Sequence, residues 1–200
     1  MSIYGDMTER SKFAVSLPLT LSKLRKSMES AANRIARQIE ALKVLIVDDE
    51  HTMRKVTRSL LQVIGIRNIH EASDGRSGLE AICTLAPDIV ILDWEMPKTK
   101  GPEFMRKVRA PGSFPLPDVP IIMLTGYGER WRVVEAVRLG VNEFLVKPVS
   151  SKALLARMVS IVSKPRRMVQ KGDYYGPEPR QMSSYKPETD YRTGQLYLVN

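Results

Sequence analysis

Between Lys43 and Ser163, five short apolar runs alternate with stretches of helical periodicity, and this alternation limits the possible folds more than any other feature. The runs are Val44–Val47, Arg67–Glu71, Ile89–Leu92, Ile121–Leu124 and Glu143–Val146. Three are continuous and rich in Val and Ile, as strands buried on both faces should be. The intervening segments, such as Thr52–Ile64 and Gly75–Leu85, carry apolar residues at three- and four-residue spacing. Strand alternating with helix predicts an α/β fold with a doubly wound, five-stranded parallel sheet and right-handed crossovers. Such a sheet places its site at the carboxyl ends of the strands, where the strand order reverses.

The residues that carry chemistry stand at those ends. Asp48, Asp49 and Glu50 follow the first run, Asp93 the third, Thr125 the fourth and Lys147 the fifth. Carboxylates brought together repel one another unless a cation neutralises them, and hard oxygen ligands select magnesium, manganese or calcium over zinc. Magnesium is usually held by a few carboxylates and a substrate phosphate, which leaves one carboxylate free as a nucleophile toward phosphorus. A transferred phosphoryl group carries charge on three equatorial oxygens, and a metal, an ammonium and a hydroxyl suit its stabilisation. Lys147 and Thr125 offer the last two, and Gly126 leaves room beside Thr125.

The segments VLIVDDE (44–50), ILDWEMPKTKG (91–101), IIMLTGYGE (121–129) and FLVKP (144–148) closely resemble, in order and spacing, the receiver domain of bacterial two-component response regulators. DDEHTMRKVTRSLL and DWEMP look especially like the stand-alone chemotaxis receivers. The resemblance spans about 120 residues and implies the five-stranded flavodoxin-like fold. It also implies Asp93 as phosphoacceptor, Asp48 and Asp49 as metal acids, Thr125 and Phe144 as a switch pair, and Lys147 as the phosphate contact. The metal so implied is Mg2+, with Asp93 and the Glu95 backbone carbonyl completing its protein ligands. The Lys147–Pro148 bond is similar to one that is cis in the family.

Two positions depart from the family pattern. Glu95 adds a flexible acid at the rim of the pocket, and Tyr127 is bulky enough to shield an acyl phosphate from water, so both read as tuning positions. The Pro-rich segment Ala110–Val119 reads as a loop insertion. Phe144 also suits plain core packing, His51 surface or capping, His70 a structural strand end, and Trp131 either an interaction face or local packing.

Rival functions fare poorly. Haloacid dehalogenase phosphatases carry a DxDxT-type motif after their first strand, whereas the candidate nucleophile here follows the third run as DWEMP. No GxxxxGK[ST] or GxGxxG follows any apolar run, which argues against a nucleotide-binding domain. The chain's +9 charge divides as +3 over residues 1–42, +1 over 43–150 and +5 over 151–200, with no dense basic run. After Ser163 there is no helix-turn-helix pattern, so DNA is not an expected partner. No apolar run approaches the ~20 residues needed to cross a bilayer, and the polar start MSIYGDMTERSKF lacks the pattern of a secretory signal. A cytoplasmic location follows as the expectation. The lone Cys83 excludes an internal disulfide and a Cys-based zinc cage, and its apolar neighbours suggest a buried helix position.

Three segments are therefore expected: an extension over 1–42, a receiver over 43–163 and an irregular Pro/Tyr-rich tail over 164–200. In the extension, Leu17, Leu21, Leu24, Met28, Ala31, Ile35, Ile39 and Leu42 recur mainly at three and four residues. They predict an amphipathic helix over about 17–42, whose apolar stripe needs a partner. A homodimer is the first expectation and packing on its own receiver the second. The tail is expected to be extended, docking on a dimer partner or a target protein, with LYLVN able to join a sheet edge. The functional expectation is a single-domain response regulator and not an enzyme in the ordinary sense. It would take a phosphoryl group from a sensor histidine kinase and signal to a downstream protein. The alternative is a phosphate shuttle or sink that returns phosphoryl groups to a histidine phosphotransferase or kinase.

Overall fold

The computed structural model describes residues 17–97, 99–126, 128–179, 188–189 and 196–197. Tyr127, and with it the shielding role expected of it, lies outside the described residues, as do Tyr185 and Tyr191 of the tail. The chain divides into two units, Met1–Arg37 and Gln38–Asn200.

Helix α1 runs from Leu17 to Glu40, close to the span expected from its periodicity. Met28 on its apolar stripe is 72% exposed, Ile35 is half-buried, and Ile39 is buried at 2%.

The second unit carries the parallel sheet. Strands β1 (Lys43–Val47), β2 (Asn68–Ala72), β3 (Ile89–Asp93), β4 (Ile121–Thr125) and β5 (Glu143–Val146) lie in the order β2-β1-β3-β4-β5. All four pairings are parallel. The three central strands are buried almost along their whole length. The edge strands are less completely covered: β2 buries Ile69 and Ala72, and β5 buries the alternate residues Glu143 and Leu145. The crossovers are α2 (His51–Ile64), α3 (Gly75–Leu85), α4 (Gly101–Val108) and α5 (Arg130–Arg138), and α6 (Ser151–Ser163) follows β5. Asp74 caps α3 by accepting from the Ser77 amide at 2.8 Å, the kind of N-cap that starts a helix after a strand. One core joins the layers, from Leu45, Val90 and Leu92 on the sheet to Ile82, Phe104 and Ala136 on the helices.

The expectation for Cys83 was wrong: it is exposed. Helix α3 turns Gly75, Gly78 and Ile82 inward, so the residue after Ile82 is rotated by about 100° away from the sheet.

Residues beyond α6 also depart from a plain extended tail. Strands β6 (Met168–Lys171) and β7 (Tyr174–Pro177) form an antiparallel hairpin, and Gly172 takes the left-handed conformation at its turn (φ 57°). The hairpin packs on its own unit, at the amino ends of β4 and β5. The Tyr175 hydroxyl donates to Asp118, and Arg166 donates to the Asn142 carbonyl. A Cβ on Gly176 would lie 2.5 Å from the Gly140 Cα, so two glycines let the backbones touch. Arg109, buried at 6% exposure, donates to the carbonyls of Gly140 and Pro117 and to Asn142 Oδ1. Burial pushes its pKa down to about 10, against the opposing pull of Asp118. The Ala110–Val119 segment is thereby anchored, and it contributes Phe114 and Leu116 to the margin of the core. Near the tail's end, Glu188–Thr189 (β8) and Leu196–Tyr197 (β9) pair antiparallel.

Candidate phosphoacceptor and metal site

Four strand ends converge as the alternation predicts. Asp48 and Asp49 leave β1, Asp93 ends β3, Thr125 ends β4 and Lys147 follows β5. One carboxylate oxygen each from Asp48, Asp49 and Asp93 falls within 4.8 Å of the others. Asp48 and Asp93 are buried, and Asp49 is exposed. Lys147 Nζ bridges the two buried acids, at 2.7 Å from Asp93 Oδ1 and 3.0 Å from Asp48 Oδ2.

Backbone amides hold the acids in place. Glu50 N donates to Asp48 Oδ1 at 2.8 Å, and Glu95 N donates to Asp93 Oδ2 at 3.1 Å. Arg54 on α2 donates to the carbonyls of Asp48 and Asp49 at 2.8 and 3.2 Å. Its own orientation is fixed by Glu71 on β2 at 3.2 Å. Gly101 returns its amide to the Trp94 carbonyl at 2.9 Å, and a Cβ there would lie 2.9 Å from the Asp93 carbonyl oxygen. The loop after Asp93 closes this tightly only with glycine at that point.

Burial raises the Asp93 pKa to about 6, although the Lys147 ammonium pulls against it and the Asp48 and Asp49 charges add to it. Burial alone would lower Lys147; Asp93 and Asp48 outweigh it and raise the ammonium's pKa. Two buried carboxylates and an exposed third, answered by one ammonium, leave an excess of negative charge. That donor set is all oxygen and fits a hard divalent cation such as magnesium, with Asp48, Asp49 and Asp93 to hold it.

Thr125 is fully buried, and its carbonyl accepts the Lys147 amide at 2.7 Å. Gly126 beside it is exposed, with open space where a Cβ would point. Phe144 is half-buried against the core. The Lys147–Pro148 peptide is cis.

Glu95, the acid expected at the rim of the pocket, has its side chain 45% exposed. Its carboxylate is bound by Arg132 of α5 at 2.5 Å. Arg132 was missed because an arginine on a short helix reads as a solvated one. Its guanidinium lies against two aromatic rings, 5.5 Å from the Trp94 ring centre and 4.9 Å from that of Trp131. The two indoles meet edge-on at 6.4 Å. The only hint lay in Trp94 and Trp131 themselves, each beside a charged residue.

Comparison with known proteins agrees with this geometry. The chemotaxis protein CheY-3 of Vibrio cholerae is 34% identical over 123 residues, covering 62% of this chain and 93% of its own. The chemotaxis protein CheY of Pseudomonas aeruginosa is 35% identical, covering 62% and 98%. Among solved structures, CheY4 of Vibrio cholerae superposes with a TM-score of 0.51 at 33% identity, covering 57% of this chain and 93% of its own. A response regulator receiver domain protein from Clostridium thermocellum gives 0.54 at 29% identity, covering 62% and 95%. The family model described as the response regulator receiver domain matches residues 44–159, more than half of the chain. Strand order, acid cluster and sequence match converge: the chain belongs to the response regulator receiver family.

Proposed function

We propose that the chain is a single-domain response regulator that accepts a phosphoryl group on Asp93 from a sensor histidine kinase. The observation that carries this reading is the Asp93 carboxylate, buried at the end of the central strand and paired with Lys147 at 2.7 Å, beside two further acids. An Asp93 oxygen attacks phosphorus as the bond to the donor's histidine nitrogen breaks, and the bonding pair leaves with that nitrogen. Lys147 and the Thr125 hydroxyl bind the oxygens of the transferred group. Mg2+, held by Asp48, Asp49, Asp93 and the Glu95 carbonyl, would neutralise the charge gathered there. The protein catalyses only its own phosphorylation and dephosphorylation.

Phosphoryl oxygens draw the Thr125 hydroxyl inward, the 125–129 loop follows, and Phe144 turns into the space released. The equilibrium pre-exists and phosphorylation biases it. The output is a protein partner and not DNA. The organisation is an extension over 1–42 that pairs two copies through α1, a receiver over 43–163 and a tail from 164. A cytoplasmic location suits a kinase partner, and among the described residues no helix is long and apolar enough to cross a membrane.

Incubation of the full chain with a small phosphodonor and Mg2+ tests the chemistry. One phosphoryl group labile to base and hydroxylamine is expected, lost in Asp93→Asn, and lost in Asp49→Ala through loss of metal. Asp93→Asn labelled to the wild-type extent would refute the assignment.

A further inference from the structure

The acid two residues beyond Asp93 takes no part in the cluster. Glu95 gives its amide to Asp93 Oδ2 at 3.1 Å, yet its carboxylate is not among the oxygens gathered within 4.8 Å around Asp48, Asp49 and Asp93. That carboxylate is 45% exposed, so solvent leaves it room to move. Arg132 binds it instead. The Arg132 side chain is only 12% exposed and lies against both Trp94 and Trp131, with Glu129 Oε2 at 3.5 Å from its Nε. Two rings and a second acid fix the guanidinium, so it acts as a rigid anchor and not as a mobile surface charge. Trp94 is itself buried at 4% and adjoins Asp93, which ties the anchor to the site's own loop.

We infer that Arg132 is a positioning residue for the metal and phosphoryl site: it holds the Glu95 carboxylate away from the acid cluster. The inference rests on the reading of that cluster as a divalent-cation site. A fourth carboxylate there would strengthen cation binding, since affinity at oxygen sites follows the charge count of the ligands. It would also repel an incoming phosphoryl group. By occupying Glu95, Arg132 sets the site to bind metal loosely and leaves the face open to an anionic donor. The helix α5 thereby has a grip on the acid site that is separate from Thr125 and Phe144.

The test is a calorimetric titration of the full, unphosphorylated chain with Mg2+ and with Mn2+, for wild type, Arg132→Met, Arg132→Lys, Glu95→Gln and the double variant Arg132→Met with Glu95→Gln. Methionine keeps an apolar stem against the indoles, and circular dichroism establishes that each variant is folded. Arg132→Met should bind the cation about three- to tenfold more tightly, because Glu95 is released to the cluster. Arg132→Lys retains a partner for Glu95 and should stay within about twofold of wild type. Glu95→Gln keeps the backbone carbonyl that would face the metal and changes only the side chain, so it should also stay within about twofold, and the double variant should match it, since the gain requires the carboxylate. Two results would overturn the inference. One is an Arg132→Met affinity equal to wild type. The other is a gain that persists in the double variant, which would trace to the lost positive charge alone. Wild type that binds neither ion would overturn the metal reading, and the inference with it.

Discussion

Lys147 Nζ stands 2.7 Å from Asp93 Oδ1, yet the Asp93 pKa is raised, to about 6 from 3.8, because burial outweighs the ammonium. An acid whose folded-state pKa exceeds its unfolded value holds an extra proton in the native state between the two. Its contribution to stability therefore declines as pH rises from about 4 to about 6, by roughly 2–3 kcal/mol at most for two pH units, and is level above that. Glu71, lowered chiefly by its hydrogen bond to Arg58, acts in the opposite direction, so the comparison must isolate Asp93. Urea midpoints of metal-free wild type and Asp93→Asn should converge at acid pH and separate toward neutrality, with the Asn variant the more stable. Parallel curves would contradict the shift.

Thr125→Ala should accept phosphate but lose the transmitted change. The hydroxyl is buried at the end of β4, and the Phe144 ring on β5 packs half-exposed at the core margin. Amide NMR spectra of the phosphorylated variant should keep the shifts around Asp93 and lack those in α5, β5 and α6. Shifts in those elements equal to wild type would remove Thr125 from the switch.

The full chain should be dimeric, and a chain starting at Ala41 should be monomeric. Met28 stands 72% exposed and Ala31 exposed on the stripe that continues to Ile35 and Ile39. Light scattering over a range of concentrations reads the outcome, and a dimer retained without α1 would refute its role.

Gly140→Ala should be among the most damaging single substitutions in the protein. Its backbone is left-handed at φ 78°, and a Cβ would collide with the Tyr175 carbonyl oxygen. A loss of about 2–4 kcal/mol is expected from strain and steric overlap combined. Gly172→Ala, also left-handed but in open space, should cost about 1 kcal/mol from strain alone. Thermal unfolding separates the two, and equal losses would mean that the hairpin does not bear on the turn at Gly140.

The alternation of runs was enough to place Asp48, Asp93, Thr125 and Lys147, because short, β-branched runs such as IVILD and IIMLT set between helical stretches suit strands covered on both faces. The span of α3 was also legible, since the spacing over Gly75–Leu85 matches the helix. What escaped was decided by distant partners. Arg132 and Arg109 are both embedded, the first against two indoles and the second among carbonyls from two loops. Their surroundings form only when the chain folds, and an arginine by itself reads as solvated. The same holds for the hairpin: its prolines and tyrosines suggested an extended tail, and the contact that orders part of it is Gly176 against Gly140, between residues with no side chain to advertise it. Cys83 failed for a simpler reason, since apolar neighbours do not determine which way one residue faces on a helix.

Pinning the hairpin to the turn before β5 also dictates where the chain departs for its final stretch. Pro177 is tied down at the amino ends of β4 and β5, whereas Asp93 and Lys147 sit at the opposite, carboxyl ends. Five residues of strand, about 17 Å, separate these poles. A protein that touched the hairpin would therefore meet the pole of the sheet opposite the one that carries the acid cluster.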